Sequence, residues 1–317
     1  MVLLLILKIK RLFKQKNHQG DYMINLTELF CKIDDFCGAY EDHLKQKLIE
    51  TNEKKRNRST QLTTSEMMTI VVLFHQSGFR NFKNFYQNYV CMHLKKEFPK
   101  LVSYNRFVAL MPTILLFLSM YLMVSRGKLT GISYIDSTPI AVCHNMRIKR
   151  NKVFAGFAER GKCSMGWFYG FKLHLIVNEH GDLLNFCVTA GNVNDRKPVK
   201  KMVKMLTGKL FGDRGYISQE LFSQLLEQGL QLITTVRKNM KNKFMPLMDK
   251  ILLRKRFIIE TINDQLKNIS QIEHSRHRSV INFMVNLIAG LVAYIHQPKK
   301  PSIKFNHKNL AGEMLVY

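Results

Sequence analysis

Hydrophobic positions along the chain change period near Gly127. Before it the pattern is helical. In Ile24–Cys37 the apolar residues Ile24, Leu26, Leu29, Phe30, Ile33 and Phe36 recur at helical spacing. Leu62-Thr63-Thr64-Ser65-Glu66 has the form of a capping box, Thr63 as N-cap and Glu66 three residues on. It predicts a helix through about Gln76 that breaks at Ser77-Gly78, and a second helix over Asn81–Tyr89 carrying Phe82, Phe85, Tyr86 and Tyr89. Helix, Gly-containing turn and helix fit either a DNA-binding helix-turn-helix or a plain helical bundle. The basic run Lys54–Arg58 is either a solvated linker or a phosphate-contacting loop. Two apolar stretches, Phe107–Val124 and Ile281–Ile295, are interrupted by Pro112 and Ser119 and by Asn282 and Asn286. Both predict buried helices rather than membrane spans.

After Gly127 a two-residue period takes over. Gly131–Val142, Phe168–Asn178 and Leu183–Thr189 predict three antiparallel strands, the last two joined by a turn at Glu179-His180-Gly181-Asp182. A short basic helix (Lys197–Thr207), a strand (Lys209–Gly212), a helix (Gln219–Gln228), a strand (Gln231–Val236) and a long helical region from about Asp249 to Ile295 follow. This order predicts an α/β fold with an RNase H-like layout, a mixed five-stranded sheet with flanking helices, preceded by an all-α region. The expected organisation is residues 1–22 as an upstream extension or basic arm, with Met23 the natural start; 23–126 helical; 127–302 the α/β domain; and 303–317 a tail.

Charge narrows the partner. Lys and Arg number 49 against 23 Asp and Glu, a formal net charge of +26. Self-repulsion of that size opposes folding, so it points to a polyanion, nucleic acid above all, unless the surface is merely basic and inert. Six scattered cysteines without CxxC spacing predict neither a disulfide framework nor a zinc site, and suit a reducing, intracellular compartment. The apolar run Val2–Leu7 lacks a preceding basic region and a cleavage site, so no signal peptide is expected. No phosphate-binding loop with a Walker-type lysine is present.

Three acids stand where acids are costly. Asp136 interrupts an apolar strand in Ser133-Tyr134-Ile135-Asp136-Ser137-Thr138, and Asp213 ends another in Leu210-Phe211-Gly212-Asp213-Arg214-Gly215. Glu260 lies on a helix where Arg256, Glu260 and Lys267 fall within roughly 40° at 100° per residue. Ile258, Ile259, Ile262, Leu266 and Ile269 spread over its other side, toward the core. The stripe is either an exposed Arg–Glu pair on a solvated face or the completion of a carboxylate site for Mg²⁺ or Mn²⁺. Two such ions suit in-line displacement at phosphorus, with Asp136 shared and Asp213 and Glu260 each completing one. Asp195 competes with Asp213 for the second position, its other role being to anchor the loop before Lys197. His144, His174, His274 and His277 are spread out and read as hydrogen-bonding or phosphate-contacting rather than metal-ligating.

At these residues the chain resembles the DDE transposases of bacterial insertion sequences, most closely the insertion sequence 982 family, from about Met23 to Ser302. Leu26-Thr27-Glu28-Leu29-Phe30 with Ile33–Cys37 is similar to that family's beginning, and Tyr134-Ile135-Asp136-Ser137-Thr138 to its first-aspartate motif. Thr189–Asp195 resembles the segment before the second aspartate, and Gly212-Asp213-Arg214-Gly215-Tyr216 the aspartate motif itself. Arg256, Glu260 and Lys267 reproduce an arginine–glutamate–lysine signature, and Ile272–Ser279 the segment after it. One departure is Leu253, where the wider superfamily has a tyrosine. The resemblance implies metal-dependent cleavage at element ends by water, then attack of the freed 3′-hydroxyl on target DNA. Asp136, Asp213 and Glu260 would hold the metal, and Arg256, Lys267, Arg276 and Arg278 would contact DNA. It further implies a homodimer or higher assembly on paired ends and a cytoplasmic, nucleoid-associated protein of bacteria, with no membrane partner. A nuclease of the same fold and a catalytically inactive DNA-binding derivative are the alternatives.

Overall fold

The chain is described by a computed structural model over residues 26–50, 61–235, 245–273 and 276–303. The first 22 residues, the Lys54–Arg58 run, His274 and the segment 306–317 lie outside the described residues.

Helix α1 (Leu26–Glu50) runs well past the predicted end and buries Leu29, Ile33, Phe36, Cys37 and Tyr40, one stripe at helical spacing. The capping box before α2 (Thr64–Gln76) is formed: Glu66 N donates to Thr63 Oγ1 at 3.1 Å and Thr63 N to Glu66 Oε2 at 2.7 Å. Helix α2 ends at Ser77, followed by Gly78 at φ 74°, a conformation that favours glycine. Helix α3 (82–93) comprises Phe82–Asn84, a π-helical Phe85–Val90 and Cys91–His93. Helix α4 (Tyr104–Val124) passes through a 3₁₀ turn at Met111–Ile114, where Pro112 cannot donate to the helical ladder. Among the described residues, α4 is the one helix long and apolar enough to cross a membrane, yet Leu118, Tyr121, Leu122 and Val124 are buried inside the protein.

The sheet has six strands rather than the predicted five. Strand β3 (Gly166–Asn178) pairs antiparallel with β1 (Ile132–Cys143) on one side. Its other edge is shared end to end by β2 (Glu159–Cys163) and β4 (Leu183–Ala190). Beyond β1 lie β5 (Gly208–Gly212), parallel to β1, and β6 (Leu230–Thr234), parallel to β5. The additional strand β2 reads Glu-Arg-Gly-Lys-Cys, too polar to show an apolar alternation in sequence. The β3–β4 turn falls where predicted, with Gly181 at φ 75° and no room for a Cβ there, which would collide with the Pro301 carbonyl oxygen.

The predicted basic helix contracts to α5 (Val199–Met202), and α6 (Gln219–Glu227) connects β5 to β6. The region expected as one long helix is three: α7 (Leu247–Arg254), α8 (Phe257–Asn268) and α9 (Val280–Ile295). Gln271, at φ 52°, lies in the break between α8 and α9, and Ser279 caps the start of α9.

One face of the sheet, with Tyr134, Phe171, Leu173 and Leu175, joins α8, α9 and the N-terminal helices in a single core. The other face, with Ile135, Ile176 and Leu210, packs on Val199, Leu221 and Leu225. Helix α9 is apolar almost all round because every residue from Val285 to Tyr294 is buried, the helix lying against α2 and α4.

Candidate active site

Side chains alternate across a strand, so Tyr134, Asp136, Thr138 and Ile140 share the face of β1 that meets α8. Asp136 is a mostly buried carboxylate, its side chain 20% exposed. Asn263 Nδ2 of α8 donates to Asp136 Oδ2 at 3.0 Å. Burial raises the Asp136 carboxyl to about 6; nearby Arg256 and the Ser137 amide oppose the rise, and the negative charges of Asp213 and Glu260 add to it.

Asp213 is brought in by strand register. Ile132, Ser133 and Tyr134 stand opposite Lys209, Leu210 and Phe211 in the parallel β1–β5 pair, and two further residues bring Asp213 level with Asp136. Gly212 permits the close approach, since a Cβ there would lie 3.1 Å from the Tyr216 ring and 3.2 Å from Ile135. Asp213 Oδ1 accepts from Gly215 N at 2.7 Å and so caps the 3₁₀ turn Arg214–Tyr216 that leaves the strand.

Glu260 projects from the first turn of α8 and is exposed. Arg256, one turn earlier, forms an ion pair with Glu260 and also lies 4.0 Å from Asp136 Oδ1. The predicted i,i+4 pair therefore exists, and its guanidinium stands between two of the three acids. Lys267, the last member of the stripe, pairs with Glu273 Oε2 at 3.1 Å, while Glu273 Oε1 accepts from Ala141 N at 2.9 Å. Arg276 and Arg278 are exposed on the segment leading into α9. Ile258, Ile259, Ile262 and Leu266 are buried as predicted; Ile269 is not, because it is the C-cap, where the helix leaves the core.

Asp195 lies across the sheet. Lys172, the β3 partner of Pro139, donates to Asp195 Oδ1 and to the Val193 carbonyl, both at 2.9 Å, which ties down the loop after β4. His174 is buried beside it with Nε2 2.9 Å from Thr189 Oγ1, and burial lowers its pKa to about 4. His277 is likewise lowered to about 4 by burial, whereas His144 is exposed. All six cysteines are free.

Asn263 escaped the sequence reading. Its signal was its place three residues after Glu260, at the edge of the apolar stripe, where a buried amide needs a polar partner. Asp136, Asp213 and Glu260 offer only carboxylate oxygens, the donor chemistry that suits a hard divalent cation. Among the described residues no three His, Cys, Asp or Glu side chains are drawn together tightly enough to enclose a metal ion. The field that Asp213 and Glu260 exert on Asp136 is nonetheless the one a cation would relieve.

Residues 126–280 match the family described as Transposase DDE domain. The matched span holds all three acids together with Arg256, Lys267, Arg276 and Arg278. A solved structure described as the cryo-EM structure of piggyBac transposase synaptic complex with hairpin DNA is similar at 12% identity and a TM-score of 0.42. The similarity covers 98% of this chain and 76% of that one. No curated protein matches the chain.

Proposed function

We propose that the chain is a DNA transposase of the DDE type, akin to the insertion sequence 982 family of bacteria. It would cleave element ends and join the freed 3′-hydroxyls to target DNA. The observation that carries this is the carboxylate arrangement inside the DDE-domain match: Asp136 on β1, Asp213 at the end of β5 and Glu260 on α8, electrostatically coupled. The +26 charge supports a DNA partner. An RNase H-like reading of residues 127–302 is supported by three antiparallel strands followed by two parallel ones, in the order β4-β3-β1-β5-β6.

Asp136, Asp213 and Glu260 would hold Mg²⁺ or Mn²⁺, two ions in this reading, which would supply a stronger nucleophile and charge stabilisation at the leaving oxygen. The chain's own residues do the rest. Asn263 fixes the orientation of the Asp136 carboxylate, and Arg256 pairs with Glu260 while opposing the rise that burial imposes on Asp136. Arg256, Lys267, Arg276 and Arg278 would take the phosphates flanking the cut, as charge-assisted donors. In the helical region 23–126, α3 exposes Lys83, Asn84, Gln87 and Asn88, the kind of face that reads a groove. A homodimer on paired ends and a nucleoid-associated, cytoplasmic location belong to the same proposal.

The test is cleavage and strand transfer on a duplex bearing the element's own ends, with Mg²⁺, by the full chain and by D136A, D213A and E260A. Each variant should lose both reactions while retaining the mobility shift on end DNA. Unimpaired cleavage by any one of them removes that acid from the site, and cleavage without joining by the parent chain makes it a nuclease.

A further inference from the structure

The segment between Asp136 and the middle of β3 carries a second feature that the carboxylate site does not use. After β1 the chain makes a 3₁₀ turn, Asn145–Arg150, and then returns as the β2–β3 hairpin. Residues 144–167 contain six cations (Arg147, Lys149, Arg150, Lys152, Arg160, Lys162) and one acid, Glu159. The chain's single tryptophan, Trp167, sits on this hairpin and is 56% exposed. An indole left in water costs free energy that burial would recover.

Its surroundings are organised. Lys162 is its direct cross-strand partner and Arg160 lies two residues further along β2, so all three side chains share a face. The Arg160 guanidinium is 5.4 Å and the Lys162 Nζ 5.9 Å from the indole centroid. Asn145 Nδ2 donates to the Trp167 carbonyl at 2.7 Å and couples the 3₁₀ turn to the hairpin. Beside it, His144, Met146, Arg147 and Arg150 line a shallow hollow. Met146, Phe157 and Met165 are 85%, 60% and 94% exposed.

Position ties this patch to the acids. Trp167 and Leu175 are eight residues apart on β3, so they share a face, and Leu175 is the register partner of Asp136. Eight residues of strand span roughly 27 Å, about the length of eight stacked nucleotides. Resting on the DNA reading above, we infer that the β2–β3 hairpin and the 3₁₀ turn form a second DNA contact. Its cations take backbone phosphates, and Trp167 stacks on a base of a single-stranded segment about eight nucleotides from the cut. Single-stranded DNA fits better than blunt duplex because only an unpaired base offers a free π-face beside its phosphate.

Because Trp167 is the only tryptophan, intrinsic fluorescence of the full chain reports on this site alone. The experiment titrates the full chain with a single-stranded oligonucleotide of about 20 nucleotides, a blunt duplex of the same sequence, and phosphatidylserine-containing vesicles. The expected result is quenching and iodide protection by the single strand. W167A should bind it roughly 5- to 100-fold more weakly while keeping its affinity for the duplex. R160Q/K162Q should flatten the log–log salt dependence by about 1.4, two phosphate contacts' worth for single strands. All the changed positions are exposed, so melting temperatures of the variants should match the parent. Single-strand binding seen by mobility shift with no change in fluorescence overturns the proposal and leaves DNA binding intact. Equal quenching by the blunt duplex overturns base stacking. Quenching by vesicles alone makes the patch a lipid contact, and binding of neither DNA form defeats the transposase reading as well.

Discussion

Asn263 Nδ2 and Asp136 Oδ2 are joined by a 3.0 Å hydrogen bond between α8 and β1. The contact fixes which way the buried carboxylate faces, since its other oxygen lies toward Arg256. N263A should therefore lower cleavage by about 10- to 100-fold and raise the Mg²⁺ concentration for half-maximal activity, without weakening the shift on end DNA. N263D would add a fourth carboxylate to the cluster and should melt at a lower temperature than N263A at pH 7. Parental metal dependence in both variants would reduce Asn263 to packing.

Glu273 does two jobs at the far end of α8, accepting from the Ala141 amide and pairing with Lys267. E273A strands that amide and should cost about 1–3 kcal/mol in urea unfolding, with faster hydrogen exchange at Ala141. K267M removes a pair more than three-quarters covered on each side, yet should cost under about 1 kcal/mol because Glu273 keeps its backbone bond. A stability loss in K267M equal to that of E273A would mean that Lys267 acts only as a brace.

Four imidazoles with pKa values lowered by burial, His75, His174, His277 and His296, set the acid limit of the fold. His75, with Nδ1 2.5 Å from the Ser270 carbonyl, and His174 are both lowered to about 4 by burial. A depressed pKa contributes stability that is full above the unfolded value of 6.5 and is lost as pH falls toward 4. The loss is roughly 3 kcal/mol per histidine at the low-pH limit. Urea midpoints should hold from pH 7.5 to about 6.5 and then fall to pH 4.5 in the parent, less steeply in H174Q. A flat parental profile would contradict the neutral, buried assignment.

Thr63 supplies the smallest and cleanest test. T63A removes the side-chain half of the capping box and should cost about 1 kcal/mol, whereas T63S should be close to neutral. Thermal melts of the two variants distinguish a formed cap from a frayed helix start.

Features set by local chemistry were legible in the sequence. The Thr63 cap, the alternation of β1 and β3, the Gly181 turn and the polar stripe of α8 each depend on neighbours within a few residues. Strand β2 was invisible because its residues are chosen for solvent and only its pairing with β3 makes it a strand. Asn263 was missed for the same reason: its role exists only across the α8–β1 interface, 127 residues from its partner. Ion pairing of Lys267 with Glu273, and the break between α8 and α9 that allows it, likewise lie beyond periodicity.

Helix α9 completes the core of the N-terminal helices, lying against α2 and α4 although some 200 residues of chain separate it from α2. At ribosomal speeds of about 5–20 residues per second, α2 waits roughly 10–40 s for that partner. During the interval α1, α2 and α4 can pack on one another, but the apolar surfaces of α2 and α4 that α9 covers stay bare. A copy of the gene interrupted anywhere before residue 280 would yield a product whose helical region could not close, so a frameshift late in the gene would be felt first at the beginning of the protein.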